Sequence, residues 1–209
     1  MRFLLVLALA AGSLLAEGPR ITYSKFFKGS QPEFVLITLD KNGAAVYREA
    51  KDDPNPLEFH LTTAQAAEIF ALATKLDLFK RPLESGLKVA NMGTKTFQYE
   101  DGAVKNEVKF NYSLDLDARS LQDWFERMSE TEGNYIDLDR TAHFDKLGVN
   151  DALLQLQETY EHKRLVAPTQ FIPLLQRIVK NESYLHMARE RAAQLIEAFG
   201  GQPAKVAVQ

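Results

Sequence analysis

Residues 33–49, EFVLITLDKNGAAVYRE, decide how this chain folds. Residues 33–40 are rich in β-branched and apolar side chains, Asp40-Lys41-Asn42-Gly43 is a turn signal, and residues 44–49 return as a second run. Asn-Gly between two such runs predicts a hairpin, because both residues tolerate positive φ. Outward from this hairpin, residues 21–28 add a strand before it. Residues 52–56 (DDPNP) form a loop that no central strand accommodates. Residues 57–61 (LEFHL) alternate and predict a short edge strand.

A helix follows. Thr62 with Gln65 three residues on forms a capping-box pattern. Ala66, Ile69, Phe70, Ala73 and Leu76 keep helical spacing and give one apolar stripe. The helix is expected to stop before Arg81-Pro82, since proline disfavours a helical residue before it. Residues 94–100 (TKTFQYE) and 104–112 (VKNEVKFNY) alternate around Asp101-Gly102 and predict a second hairpin. From Asp117 onward the patterns are helical. Leu121, Trp124, Phe125 and Met128 make an i, i+3, i+4, i+7 stripe. Gly133-Asn134 is expected to interrupt that helix, with a second stretch over residues 135–146 ended by Gly148. Asn150 is expected to cap the next helix, with Val149 and Leu154 as a hydrophobic staple. A further helix carries Phe171, Leu174, Leu175 and Ile178. The last spans residues 183–199 and ends at Gly200-Gly201.

Hairpins beside helices, without alternating βαβ units, predict an α+β fold: an antiparallel sheet with a helix, then an all-helical C-terminal region. The expected division is a signal peptide over residues 1–16, an α+β domain over 19–132, a helical region over 133–199 and a flexible tail over 200–209.

Residues 1–16 carry the address. Arg2 is followed by an apolar run over residues 3–11 (FLLVLALAA), then Gly12, Ser13 and a small residue, Ala16, at a cut position. This is the layout of a secretory signal peptide. The run is short of the roughly 20 residues a membrane span needs. Cleavage after Ala16 leaves 24 basic against 28 acidic residues. A mildly acidic chain lacks the basic surface that nucleic acids and anionic lipids require. No later segment reaches membrane-spanning length. The chain has no cysteine, which removes disulfides, thiol catalysis and thiolate metal sites. Together these features predict an exported bacterial protein, periplasmic or secreted, held together by its core alone.

Two resemblances extend this reading. Residues 173–199 (PLLQRIVKNESYLHMARERAAQLIEAF) resemble a HEAT repeat: Pro173 at the kink of the first helix, Lys180-Asn181-Glu182 at the turn, and Ala188-Arg189-Glu190-Arg191-Ala192-Ala193 in the second helix. HEAT-like pairs mostly present surfaces to partners, which the resemblance implies here. The front part is similar to a group of uncharacterised secreted bacterial α+β domains. The likeness lies in Gly43-Ala44-Ala45-Val46-Tyr47, in Leu61-Thr62 at the helix start, and in Tyr99-Glu100-Asp101-Gly102. It implies a fold and an exported setting, with no chemistry attached.

The chain carries no GxSxG, HExxH, GxGxxG or P-loop motif. Its four histidines, His60, His143, His162 and His186, lie on different elements. Glu182, His186 and Glu190 share one helix face at i, i+4, i+8, and Glu158 with His162 makes a similar pair. Such faces are most simply solvated surfaces with weak local pairs, so no metal and no cofactor is expected. Asp115 and Asp117 read as helix-start acids, Asp137 and Asp139 as an exposed face, and Trp124-Phe125 as core. The irregular segment 81–94 (RPLESGLKVANMGT) is the candidate functional loop, with Glu84, Lys88, Asn91 and Met92 as binding candidates. The leading expectation is a non-catalytic exported module that binds a protein or an envelope component. The alternatives are a hydrolase with a site assembled from distant residues, and a structural or chaperone-like part of an envelope complex.

Overall fold

A computed structural model describes residues 18–202. The predicted signal peptide and residues 203–209 of the expected tail lie outside the described residues. Six strands form one antiparallel sheet in the order β4-β3-β2-β1-β5-β6. They are β1 (Arg20–Phe26), β2 (Phe34–Asp40), β3 (Ala44–Arg48), β4 (Leu57–His60), β5 (Thr94–Asp101) and β6 (Val104–Phe110). The helices are α1 (Thr63–Lys75), α2 (Leu116–Phe144), α3 (Val149–Glu161), α4 (Ile172–Lys180) and α5 (His186–Ala198). The fold is therefore α+β, with the helices concentrated in the C-terminal half.

Register explains which side chains enter the core. Tyr23 pairs with Ile37 on one side and Phe97 on the other, and Ile37 pairs with Tyr47. All four are buried, so one row across four strands faces the helices. Phe97 is the hub of an aromatic cluster, with Tyr23, Phe79, Phe110 and Phe125 at centroid distances of 5.2 to 5.9 Å. Such pairs add attraction beyond their buried area.

The first hairpin forms as expected but turns differently. Gly43 alone takes positive φ (+97°), and Asp40 accepts from the backbone N–H of Asn42 and Ala44, each at 2.9 Å. The Asp40 side chain, rather than a left-handed Asn42, closes the turn. A Cβ on Gly43 would stand 2.4 Å from the Leu61 carbonyl, which the close packing of Gly43 against Leu61 forbids. The Thr62–Gln65 capping box is present with both reciprocal bonds. Helix α1 ends at Lys75, earlier than the proline rule required. Asp77, Leu78 and Phe79 then make one turn with φ between 48° and 67°. Left-handed backbone is unfavourable for such residues. Here it swings Phe79 onto Phe97 in the core, with centroids 5.2 Å apart.

Gly133-Asn134 does not interrupt a helix. Helix α2 runs unbroken for 29 residues through the expected boundary at residue 132. Asn134 spends its amide on the Glu130 carbonyl at 2.9 Å and on Thr159 Oγ1 of α3 at 3.1 Å. A side chain that would compete with the helical ladder is thus held by a neighbouring helix. The apolar interior divides along this helix. Its first half, with Leu121, Phe125 and Met128, packs with α1 and the sheet. Its second half, with Leu138 and Ala142, packs with α3, α4 and α5.

Two further expectations are corrected. Gly148 stands at the start of α3, not at the end of α2, and its backbone N–H donates to Asp145 Oδ1 at 3.1 Å. Asn150 lies inside α3, its side chain accepting from Arg191 of α5 at 3.4 Å, and Leu154 is exposed rather than stapled. Pro173 sits at the junction of a 3-10 turn (Pro168–Phe171) and α4. Helix α5 starts three residues later than predicted and closes on Gly200 (φ +82°). The Gly201 N–H bonds the Ile196 carbonyl and the Gly200 N–H bonds Glu197, a Schellman ending. No helix among the described residues is long and apolar enough to cross a membrane.

Candidate functional site

The segment joining α1 to β5 has no regular structure over residues 81–93, yet it is tethered. Asn111, just past β6, holds it from three directions. Its backbone N–H donates to Glu84 at 2.6 Å, its amide donates to the Ala90 carbonyl at 3.0 Å, and its side-chain oxygen accepts from the Met92 N–H at 2.8 Å. The Asn111 bond and a second from the Ser85 N–H hold the Glu84 carboxyl below the usual carboxylate range. Asn91, itself exposed, accepts from the Gly93 N–H at 2.9 Å. Lys88 is exposed, and Met92 is 56% exposed. Of the four loop candidates, Glu84 and Asn91 therefore shape the loop, while Met92 and Lys88 are presented to solvent.

Met92 forms one wall of a groove of about 850 Å³ that runs along the first half of α2. Tyr112, Leu116 and Trp124 continue its apolar lining. Leu116, 74% exposed, lines the same groove as Met92. Trp124 is buried, as the helical stripe predicts, but it also borders the groove. Its indole N–H donates to Glu68 of α1 at 3.2 Å, and the Arg127 guanidinium lies 4.6 Å over its ring. That stack is a cation–π contact.

Lys95 also lines the groove, on β5, although it is only 3% exposed. Its ammonium donates to the Asn111 carbonyl at 2.7 Å and lies 5.9 Å from the Phe110 ring. Burial, with Lys25 beside it, pulls its pKa below the usual lysine value. Desolvation disfavours the charged form, and a like charge adds to it. One signal for Lys95 was present in the sequence: it shares parity with Phe97 and Tyr99, so the alternation that buries them also turns Lys95 inward.

A second buried ionisable group lies deeper. Glu132 is 0% exposed, on α2 where the two apolar clusters meet. One carboxyl oxygen accepts from Gln170 at 2.9 Å, and the other has no hydrogen-bond partner among the described residues. Desolvation raises its pKa to about 7. The stripe Phe125, Met128, Glu132 follows i, i+3, i+7 spacing, so its burial too was legible. The Tyr23 hydroxyl is likewise buried without a partner among the described residues.

The remaining sequence candidates are not brought together. His186 and Glu190 form a local pair at 3.2 Å, each 56% exposed, while Glu182 lies in the turn before α5. His162 Nδ1 meets the Glu158 backbone carbonyl at 2.8 Å rather than its carboxylate. Among the described residues no group of three or more acidic or histidine side chains is placed to hold a metal ion. Asp115 caps α2 by accepting from the Ala118 N–H at 3.1 Å, and Asp117 pairs with Lys75 at 3.1 Å. Asp137 pairs locally with Arg140 at 2.7 Å, and Asp139 pairs with Arg177 of α4 at 3.0 Å.

No protein-family profile matches the chain, and no curated protein matches it.

Proposed function

We propose that this protein is an exported, non-catalytic binding module that engages another protein or an envelope component through the groove beside α2. One observation carries the reading: Met92 and Leu116, both more than half exposed, flank a groove bordered by the Trp124–Arg127 stack. Exposed apolar side chains at a concave surface with polar neighbours are a common form of interaction site. Asn111 supports the same reading, because it fixes the loop that presents Met92 and so lowers the ordering cost of binding.

Glu132 favours a hydrolase as a second reading, since a buried carboxyl with a raised pKa suits proton transfer. Its complete enclosure argues against it, because no substrate reaches a side chain with 0% exposure.

The test is a crosslinked pull-down from the cell envelope with the natural protein and with Leu116→Glu and Met92→Glu. Both side chains are exposed, so the variants are expected to fold. A stoichiometric partner captured by the natural protein and lost in both variants supports the reading. Equal capture by all three proteins refutes it.

A further inference from the structure

Helix α2 holds the stretch between α3 and α4 through its side chains. Thr131 Oγ1 accepts from the Val166 N–H at 3.0 Å, Glu132 accepts from the Gln170 amide at 2.9 Å, and Glu130 pairs with Arg164. Between the buried Val166 and the buried Phe171 the chain makes a single 3-10 turn, Pro168–Phe171. The middle of this turn faces outward: Thr169 is exposed and Gln170 is half-buried. Two backbone bonds close it, from the Gln170 N–H to the Ala167 carbonyl at 3.2 Å and from the Ile172 N–H to the Thr169 carbonyl. Ala167 enters it at φ +45°, a left-handed backbone that is unfavourable for a residue with a Cβ.

The Glu132 carboxyl, 0% exposed, is tied directly to this turn. Gln170 is its one side-chain partner, and its second oxygen has none among the described residues. The titratable groups that face it are the Tyr47 hydroxyl from β3 and the Tyr135 hydroxyl from α2 itself. Both are pushed above the usual tyrosine range, so both stay neutral near pH 7. Arg164, the cation that precedes the turn, is taken by Glu130 and Asp123. A neutral carboxylic acid fits this site. An ionised one lacks the bonds and the counter-ion that a buried charge needs. Its pKa of about 7 agrees with that geometry. Water is what would relieve the charge, and the turn is the element placed to admit it: short, partly exposed, strained at Ala167 and bonded to the carboxyl.

We infer that loss of the Glu132 proton to water opens the 168–171 turn, freeing Gln170 and letting solvent reach the carboxylate, and that reprotonation closes it. The turn is also one wall of a cleft of about 630 Å³ whose other wall is β3 and β4, so its opening reshapes that cleft with pH. In the open turn the carboxyl is hydrated and takes its ordinary pKa. The open population therefore stays low in acid, rises with pH between the open and closed values, and levels off above 7. Between pH 5 and pH 8 the increase is about 70-fold.

Hydrogen exchange followed by NMR tests this on the natural protein and on Glu132→Gln, each checked for folding by circular dichroism. Protection factors, which already remove the intrinsic pH dependence of exchange, are compared at pH 5 and pH 8 for the Gln170 and Ile172 amides and for the central strands β1 and β5. In the natural protein the turn amides are expected to be less protected than the strands at both pH values, and to lose about 70-fold in protection between them. In Glu132→Gln the turn is expected to keep the same protection at both. Turn protection that does not change with pH in the natural protein overturns the inference. A pH dependence that survives in Glu132→Gln does the same. Turn amides as well protected as the strands would mean that only global unfolding reaches Glu132, which overturns it as well.

Discussion

Replacing Glu132 with glutamine should change how stability depends on pH, and the size of the change follows from its burial. The carboxyl is fully enclosed, with one oxygen unpartnered among the described residues, and its pKa rises from 4.5 to about 7 on folding. The folded chain therefore holds the proton more tightly than the unfolded chain. Below pH 4.5 both states are protonated and the group costs nothing. Between 4.5 and 7 the unfolded chain ionises first, and folding loses roughly 1.4 kcal/mol per pH unit. Above 7 both states are ionised and the loss levels off at about 3 kcal/mol. The amide of the Glu132→Gln variant stays neutral throughout and keeps an oxygen for Gln170. The stability of this variant relative to the natural protein should accordingly rise by about 2.5 kcal/mol between pH 5 and pH 8. For a chain of this length that corresponds to roughly 5–10 °C in Tm. Urea or thermal unfolding followed by circular dichroism at the two pH values measures it. Other titrating groups occur in both proteins and cancel in the comparison. If the two proteins show the same pH dependence, Glu132 is not desolvated as described and the reasoning fails.

Gly43→Ala should cost about 2–3 kcal/mol, because a Cβ meets the Leu61 carbonyl at 2.4 Å and the φ of +97° is unfavourable for alanine. A chemical denaturation midpoint close to that of the natural protein would show that the turn relaxes. Thr62→Ala removes one bond of the capping box and should lower stability by about 1 kcal/mol, read in the same way. Tyr23→Phe deletes a buried hydroxyl that has no partner among the described residues, so it should be neutral or stabilising by up to about 1 kcal/mol. A clear loss of stability would instead reveal a bond that the hydroxyl makes in solution.

Much of the architecture was legible in the sequence alone. The alternation of residues 94–100 and 104–112 marked the inward face of the second hairpin, and the Thr62–Gln65 spacing located the start of α1. These are local signals: one side chain in two faces inward, and a cap needs only residues three apart. The expected break at Gly133-Asn134 failed because the residue that holds Asn134, Thr159, lies 25 positions away. Helix propensity says a glycine-asparagine pair weakens a helix, and only packing against α3 says that it need not end there. The same holds for the left-handed turn at residues 77–79, which seats Phe79 on Phe97.

The groove shows the division most clearly. The sequence marked residues 81–94 as a loop and nominated Met92, because length and composition are local properties. It could not say that Asn111 ties that loop down, or that Leu116 and Trp124 stand across from it. Nor could it separate Arg119 from Arg164, one without a carboxylate among the described residues and the other holding Asp123. By itself the sequence determined the strands, the Thr62 cap that starts α1, the glycine that closes α5 and the alternation that turns Lys95 inward, whereas it misplaced the roles of Gly133, Gly148 and Asn150. The tertiary structure decided which of those buried and exposed groups meet. Hydrogen bonds and ion pairs form between neighbours in space, and spatial neighbours from distant parts of the chain leave no trace in local pattern.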